Sequence, residues 1–126
     1  MERIQSTIKS REELVLALQG TALFGSLPEE VQCFVADLSE VLLFSKGESV
    51  VEQHTSSDAF FLILSGNASV VLDGNNEVAT LSVLDCFGEM GLLLDTPRVA
   101  SVVAKEDVSV MRFQRSNFEE CFKRFP

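Results

Sequence analysis

Residues 86–102 read CFGEMGLLLDTPRVASV, and the reading of the fold turns on this stretch. On either side of it the chain has the short apolar runs and turn signals of strands. Inside it that pattern breaks for a helical turn or two, Glu89-Met90-Gly91-Leu92-Leu93-Leu94, before strands resume. A Gly-Glu pair opens the apolar run, and a lone Arg follows a Pro at position 98. Gly88 lets the backbone turn tightly, and a helix starting there leaves N–H groups unpaired at the positive end of its dipole. Such an end accepts an anion. Gly91 lacks a Cβ, so a ligand can approach the first-turn amide closely. Asp95-Thr96-Pro97 turns the chain back and brings Arg98 into the next strand, where a guanidinium fork pairs with two anion oxygens at once. Glu89 is the odd member, because a carboxylate repels an anion yet accepts hydrogen bonds from a hydroxyl. An anion at one end and a hydroxyl at the other describes a small, polar ligand.

Outward from this break the middle of the chain, 40–113, divides into short strands. Val41–Phe44 ends at Ser45-Lys46-Gly47, and Ser49–Glu52 follows. Phe60–Leu64 stops at Ser65-Gly66, and Ala68–Leu72 runs into Asp73-Gly74, a strong hairpin signal. Glu77–Leu81, Val99–Ala104 and Val108–Phe113 complete the set. Strands this short and evenly punctuated predict a small barrel, roll or sandwich.

Helices are expected on both flanks. In the first part, 1–39, Ser10-x-x-Glu13 and Ser26-x-x-Glu29 read as capping boxes, each followed by an apolar stripe at helical spacing. The last part, 114–126, opens with Ser116-x-x-Glu119 and carries Phe118, Phe122 and Phe125 on one face. With 126 residues and no internal repeat or linker, the whole chain reads as a single domain.

Composition removes several functions. A net charge of −9 repels phosphate backbones and anionic lipid, which argues against contact with nucleic acid or membrane. The longest apolar run, Ala59–Leu64, is far too short to span a bilayer, and the N-terminus has no secretory apolar segment. Cys33, Cys86 and Cys121 are odd in number and widely spaced, fitting neither a disulfide framework nor a zinc set. A cytoplasmic location follows as the expectation. The single histidine, His54, cannot furnish a metal site of the cupin kind or a nucleophile's base with its orienting partner, so no catalysis, metal or cofactor is expected.

The stretch FGEMGLLLDTPRVAS resembles the phosphate-binding cassette of the cyclic-nucleotide-binding domain family, F-G-E-(L/M)-(A/G)-L-x4-P-R-x-A-(S/T). That family includes the bacterial catabolite activator, the regulatory subunits of cyclic-AMP-dependent protein kinase and cyclic-nucleotide-gated channels. FLILSGNASVVLDG is similar to the family's F-x-I-x-S-G hairpin, and FSKGESVVEQ to its K-G-x-x-(I/V) strand. The resemblance covers most of the chain. It implies a mainly β fold with flanking helices, an eight-stranded antiparallel β-roll (a double-stranded β-helix of jelly-roll type) interrupted by the short helix of a phosphate cassette spanning 87–101. It further implies that Glu89 holds a ribose 2′-hydroxyl, assisted by the Gly88 backbone. The amides of Met90 and Gly91 would face a cyclic phosphate, and Arg98 would neutralise it. Val99, Ala100 and Ser101 would line the strand beside phosphate and base, with Val78 and Ala79 as candidate base contacts.

Two departures stand out. The family commonly has glycine where this chain has His54 or Thr55, and again where it has Leu84. Val99 offers no hydrogen bond to a guanine amino group, so cyclic AMP is favoured over cyclic GMP as the ligand. The family's last helix usually runs on, whereas this sequence closes at Pro126, so the expected output is a partner or a further domain, with a homodimer also in view. The competing reading is a ligand-free roll of the same fold that serves as a protein–protein contact module.

Overall fold

The computed structural model describes residues 2–4, 11–21, 24–55, 58–88 and 97–124, and of residues 2–4, 118, 121, 122 and 124 it describes the backbone alone. In chain order the elements are β1 (Glu2–Ile4), α1 (Arg11–Gln19), α2 (Glu29–Leu38), β2 (Glu40–Phe44), β3 (Ser49–Val51), β4 (Ala59–Ser65), β5 (Ala68–Leu72), β6 (Asn76–Leu81), β7 (Cys86–Phe87), β8 (Ser101–Ala104), β9 (Val108–Gln114) and α3 (Arg115–Arg124). They make two antiparallel sheets, one ordered β1-β2-β9-β4-β7 and the other β3-β8-β5-β6. Strands β2 to β9 supply the expected roll, and the cassette interrupts it between β7 and β8.

Alternation along the strands builds two cores. On β4 and β9, Phe60, Leu62, Met111 and Phe113 face the helices, meeting Leu14, Leu18, Phe24 and Val35. Their neighbours Phe61, Ile63, Val108 and Val110 point the other way, into the space between the sheets with Leu42, Phe44 and Val102. A strand covered on both faces needs no polar side, which is why Ala59–Ile63 is apolar throughout and buried. Polar groups inside the helical layer are satisfied. The buried Gln32 donates its Nε2 to the Phe24 carbonyl at 2.8 Å, and Thr21 Oγ1 donates to Leu18 O at 2.7 Å while accepting from Phe24 N at 3.1 Å.

Four expectations are corrected. The first part is not wholly helical, since Glu2–Ile4 pairs antiparallel with Val41–Leu43 and extends the edge of the first sheet. Ser26 does not cap α2. Pro28 occupies the N-cap position with extended backbone (φ −56°, ψ 147°) and no side-chain cap bond. Its own carbonyl accepts the first helical N–H groups, from Val31 at 3.0 Å and Gln32 at 3.1 Å. Ser116 lies inside α3, where Asn117 Oδ1 accepts from Gln114 N at 3.3 Å at the helix start. Val99 and Ala100 precede β8 and do not belong to it. Among the described residues no helix is long and apolar enough to cross a membrane.

The two departures from family glycine have a backbone meaning. His54 and Leu84 both adopt φ +71°, the left-handed region that glycine occupies without cost. Leu84 is held there because its N–H donates to Ile63 O at 2.8 Å while Ile63 N donates to Asp85 O at 3.0 Å. Its side chain lies over the end of α1. A Cβ on Gly20 would stand 2.8 Å from Leu84 Cδ1, so the missing side chain at 20 makes room for the one present at 84.

Candidate functional site

Arg98 is the centre of the site. It is 8 % exposed, and its backbone is pinned before β8 begins. Arg98 N donates to Thr55 O at 2.8 Å, and Arg98 O accepts from His54 N at 2.8 Å. That ladder joins the segment before β8 to the loop after β3, and it explains why Val99 and Ala100 are not paired as strand. From this anchor the side chain reaches across to the start of β4, where Nη2 donates to the Ala59 carbonyl at 3.0 Å.

Aromatic packing fixes the guanidinium further. Its Cζ lies 5.6 Å from the Phe61 ring centroid, a cation–π contact. Phe61 in turn stacks on Phe87, with centroids 5.0 Å apart and planes 11° from parallel. Phe61 and Phe87 are cross-strand partners of β4 and β7, so the register of the sheet sets this stack. Gly88 completes the seat. With φ +83°, it would place a Cβ 2.5 Å from Arg98 Nη1 and 2.6 Å from Ala59 O. Glycine is therefore required at 88 for the guanidinium as well as for the turn.

Burial lowers the pKa of the Arg98 guanidinium, and the nearby Asp58 carboxylate opposes that shift. An arginine stays charged under such a bias. Among the described residues no carboxylate lies within ion-pair distance of it, and what holds the cation there is a backbone carbonyl and an aromatic face. An anionic oxygen is what this arrangement accepts.

Ser101 opens β8 and is half-buried, and its Oγ accepts from Gln53 N at 2.9 Å, which leaves the hydroxyl proton free to donate. Gln53 Oε1 accepts from Asp73 N at 2.9 Å, tying the same loop to the β5–β6 hairpin. Val99 is 83 % exposed at the mouth of the site. Ala100 is half-buried beside it. The structure thus brings Gly88, Arg98, Val99, Ala100 and Ser101 to one end of the roll. Val78 and Ala79 sit apart from them on β6, the exposed edge strand, with β5 standing between β6 and β8. Glu89, Met90 and Gly91 lie outside the described residues.

Sequence reasoning missed Phe61, Phe87, Asp58 and the Ala59 carbonyl as parts of the site. Phe61 had a partial signal, since alternation along β4 aims it between the sheets. The carbonyl had none, because a backbone acceptor 39 positions from its donor leaves no mark in composition. Among the described residues no group of three or more His, Cys, Asp and Glu side chains is placed to hold a metal ion.

Comparison with known proteins gives a consistent result. The family described as the cyclic nucleotide-binding domain matches residues 41–125. A cAMP-dependent protein kinase regulatory subunit from Aspergillus fumigatus is 34% identical over 117 residues, covering 92% of this chain and 28% of the relative. The chain thus spans about a quarter of the length of that curated relative. Among solved structures, the regulatory domain of Toxoplasma gondii PKA with cAMP shares the fold at TM-score 0.81 and 24% identity, covering 93% of this chain and 47% of that one. The regulatory subunit of a cAMP-independent protein kinase A from Trypanosoma brucei has TM-score 0.81 and 26% identity, covering 94% and 43%.

Proposed function

The chain belongs to the cyclic nucleotide-binding domain family, and on that footing we propose that it is a non-catalytic, cytoplasmic sensor whose ligand is cyclic AMP in preference to cyclic GMP. The observation that carries this reading is Arg98, a buried guanidinium in a built socket with no carboxylate ion pair among the described residues. Removing a charge from water is costly unless a counter-charge compensates it, and a cyclic phosphate supplies one negative charge on two exocyclic oxygens. Arg98 pairs with those oxygens, while the amides of Met90 and Gly91 donate to them. Glu89 accepts from the ribose 2′-hydroxyl, and Ser101 offers its hydroxyl proton beside the phosphate. The exposed Val99 presents an apolar contact and no acceptor to the base, which favours adenine. Support comes also from the Aspergillus relative, whose name states dependence on cAMP. By the same likeness, the output of ligand binding is a change in contact with a protein partner such as a kinase catalytic chain.

Calorimetric titration with cyclic AMP and cyclic GMP, repeated on Arg98→Leu, tests this reading. The variant is expected to lose about 2–5 kcal/mol of binding, the range for truncating one member of a desolvated charge pair. Normal binding by the variant would reject the assignment of Arg98. The Trypanosoma neighbour, described as cAMP-independent, keeps a second reading in place, a roll that contacts proteins without cyclic nucleotide. Absence of heat with either nucleotide at millimolar concentration would select it.

A further inference from the structure

The loop after β3 meets the segment before β8 as a β-bulge. His54 N donates to Arg98 O and Arg98 N donates to Thr55 O, each at 2.8 Å, so two residues of the loop stand opposite one. His54, the first of the two, takes φ +71°. A left-handed first residue in a two-against-one pairing is the G1 form of the bulge. Bulges bend a strand and re-aim a side chain beside a site. Here the residue opposite the bulge is Arg98, whose side chain turns across to the Ala59 carbonyl.

One residue earlier, Gln53 N donates to Ser101 Oγ at 2.9 Å. Residues 53–55 therefore hold Arg98 by its backbone and Ser101 by its side chain, using backbone groups alone. A loop fixes the spacing of two residues only if it is itself fixed. Thr55 Oγ1 and Thr55 N both donate to Glu52 O, at 2.5 Å and 3.3 Å, which closes the loop on itself. The Gln53 side chain then ties it to the second sheet. It is half-buried between the exposed Glu52 and His54, and its Oε1 accepts from Asp73 N at 2.9 Å. Asp73 and Gly74 form the tip of the β5–β6 hairpin, with φ +51° and +94°. An N–H at such a tip has no strand partner, and the glutamine supplies its acceptor.

A glutamine suits this task because it accepts a hydrogen bond without adding negative charge beside an anion site. We propose that Gln53 is a positioning residue for the cyclic phosphate: its side-chain carbonyl anchors the bulge on the β5–β6 hairpin, and the bulge in turn sets Arg98 and Ser101 at a fixed spacing. The proposal rests on the assignment of Arg98 and Ser101 to the phosphate made above, and it adds a residue that acts through them. Its influence is confined to the phosphate end of the ligand, since Glu89, assigned to the ribose, belongs to another segment.

Gln53→Met keeps the length of the side chain and removes the acceptor. In the ligand-free whole chain, hydrogen exchange at the amides of position 53 and His54 is expected to quicken by roughly two- to tenfold, the equivalent of one neutral hydrogen bond, while the amides of β4 and β9 stay as slow as before. Calorimetry with cyclic AMP is expected to show a loss of affinity of similar size, roughly two- to tenfold. A 2′-deoxy analogue should lose the same factor, because the loop supports the phosphate contacts and not the ribose contact. In a Ser101→Ala background the loss should shrink, since the bond through which Gln53 acts is already cut. A general softening of the fold would instead speed exchange in β4 and β9 and add in full to Ser101→Ala. Unchanged exchange at 53 and 54, undiminished binding of cyclic AMP, or a full additional loss in Ser101→Ala would each overturn the proposal. A wild-type chain that bound no cyclic nucleotide would overturn the phosphate assignment itself and this proposal with it, a result told apart from the others because it appears before any substitution is made.

Discussion

Replacing Gly88 with alanine isolates the seat of Arg98. The added Cβ meets two atoms of different stiffness, the Arg98 Nη1 at 2.5 Å and the Ala59 carbonyl oxygen at 2.6 Å. A guanidinium at the end of a long side chain can swing aside, but the carbonyl belongs to the first residue of β4 and cannot. Residue 88 must also hold φ +83°, which costs an L-residue roughly 1–2 kcal/mol. Overpacking against a fixed backbone adds about 1–3 kcal/mol. Gly88→Ala is therefore expected to lower stability by roughly 2–5 kcal/mol, a large part of the 5–15 kcal/mol available to a typical domain. Urea denaturation of wild type, Gly88→Ala, Arg98→Ala and the double variant measures this loss and apportions it. In the Arg98→Ala background the contact with Nη1 is gone, while the carbonyl contact and the backbone strain remain. The penalty for Gly88→Ala should then shrink by about 0.5–3 kcal/mol, the usual range of coupling between residues in contact. An identical penalty in both backgrounds would mean that the guanidinium does not rest on Gly88. A neutral Gly88→Ala would refute the argument from the turn as well.

Other expectations follow from separate parts of the molecule. Glu89→Gln is expected to weaken cyclic AMP but hardly a 2′-deoxy analogue, with coupling of roughly 1–3 kcal/mol between the protein and ligand changes; strict additivity in calorimetry would remove Glu89 from the ribose. His54→Gly should raise stability by about 1 kcal/mol, because relief of the left-handed strain exceeds the added freedom of the unfolded chain; a lower denaturation midpoint would contradict this. The Glu77 carboxyl is held below its ordinary pKa by hydrogen bonds from Ser69 and Lys105 and by the charge of Lys105. A depressed folded pKa gives stability that is present above the unfolded value and lost as pH falls through the folded one. Thermal melts should therefore separate wild type from Glu77→Gln at neutral pH and converge in strong acid, and a gap that persists in acid would exclude this cause.

Much of the roll was legible because its signals are local. The Asp73-Gly74 turn sits where the β5–β6 hairpin reverses, and the break after Phe87 falls where β7 ends. What escaped the sequence depends on partners far along the chain. Glu2–Ile4 becomes a strand only because β2 has an edge to offer, and nothing in Glu-Arg-Ile announces it. Val99 and Ala100 carry strand-like residues, yet two backbone hydrogen bonds to the loop at 54 and 55 hold the chain away from the ladder just before them. Two Ser-x-x-Glu boxes failed for a local reason instead, since Pro28 takes the N-cap position of α2 and the Asn117 side chain caps the start of α3. In the site, Arg98 was recognisable by its spacing from Glu89 in the cassette motif, whereas its support by Phe61 arises from the pairing of β4 with β7.

The stack of Phe87 on Phe61 under the guanidinium has an optical consequence. The chain contains no tryptophan and no tyrosine, so it is nearly silent in the near-ultraviolet and in fluorescence. A tryptophan introduced at Phe87 would be the sole tryptophan in the protein, placed one ring away from the cation proposed to grip the ligand. Its quantum yield would follow the distance and tilt of that cation with no background to subtract. The absence of these two residues turns an ordinary aromatic pair into a position from which the movement of Arg98 can be watched by light.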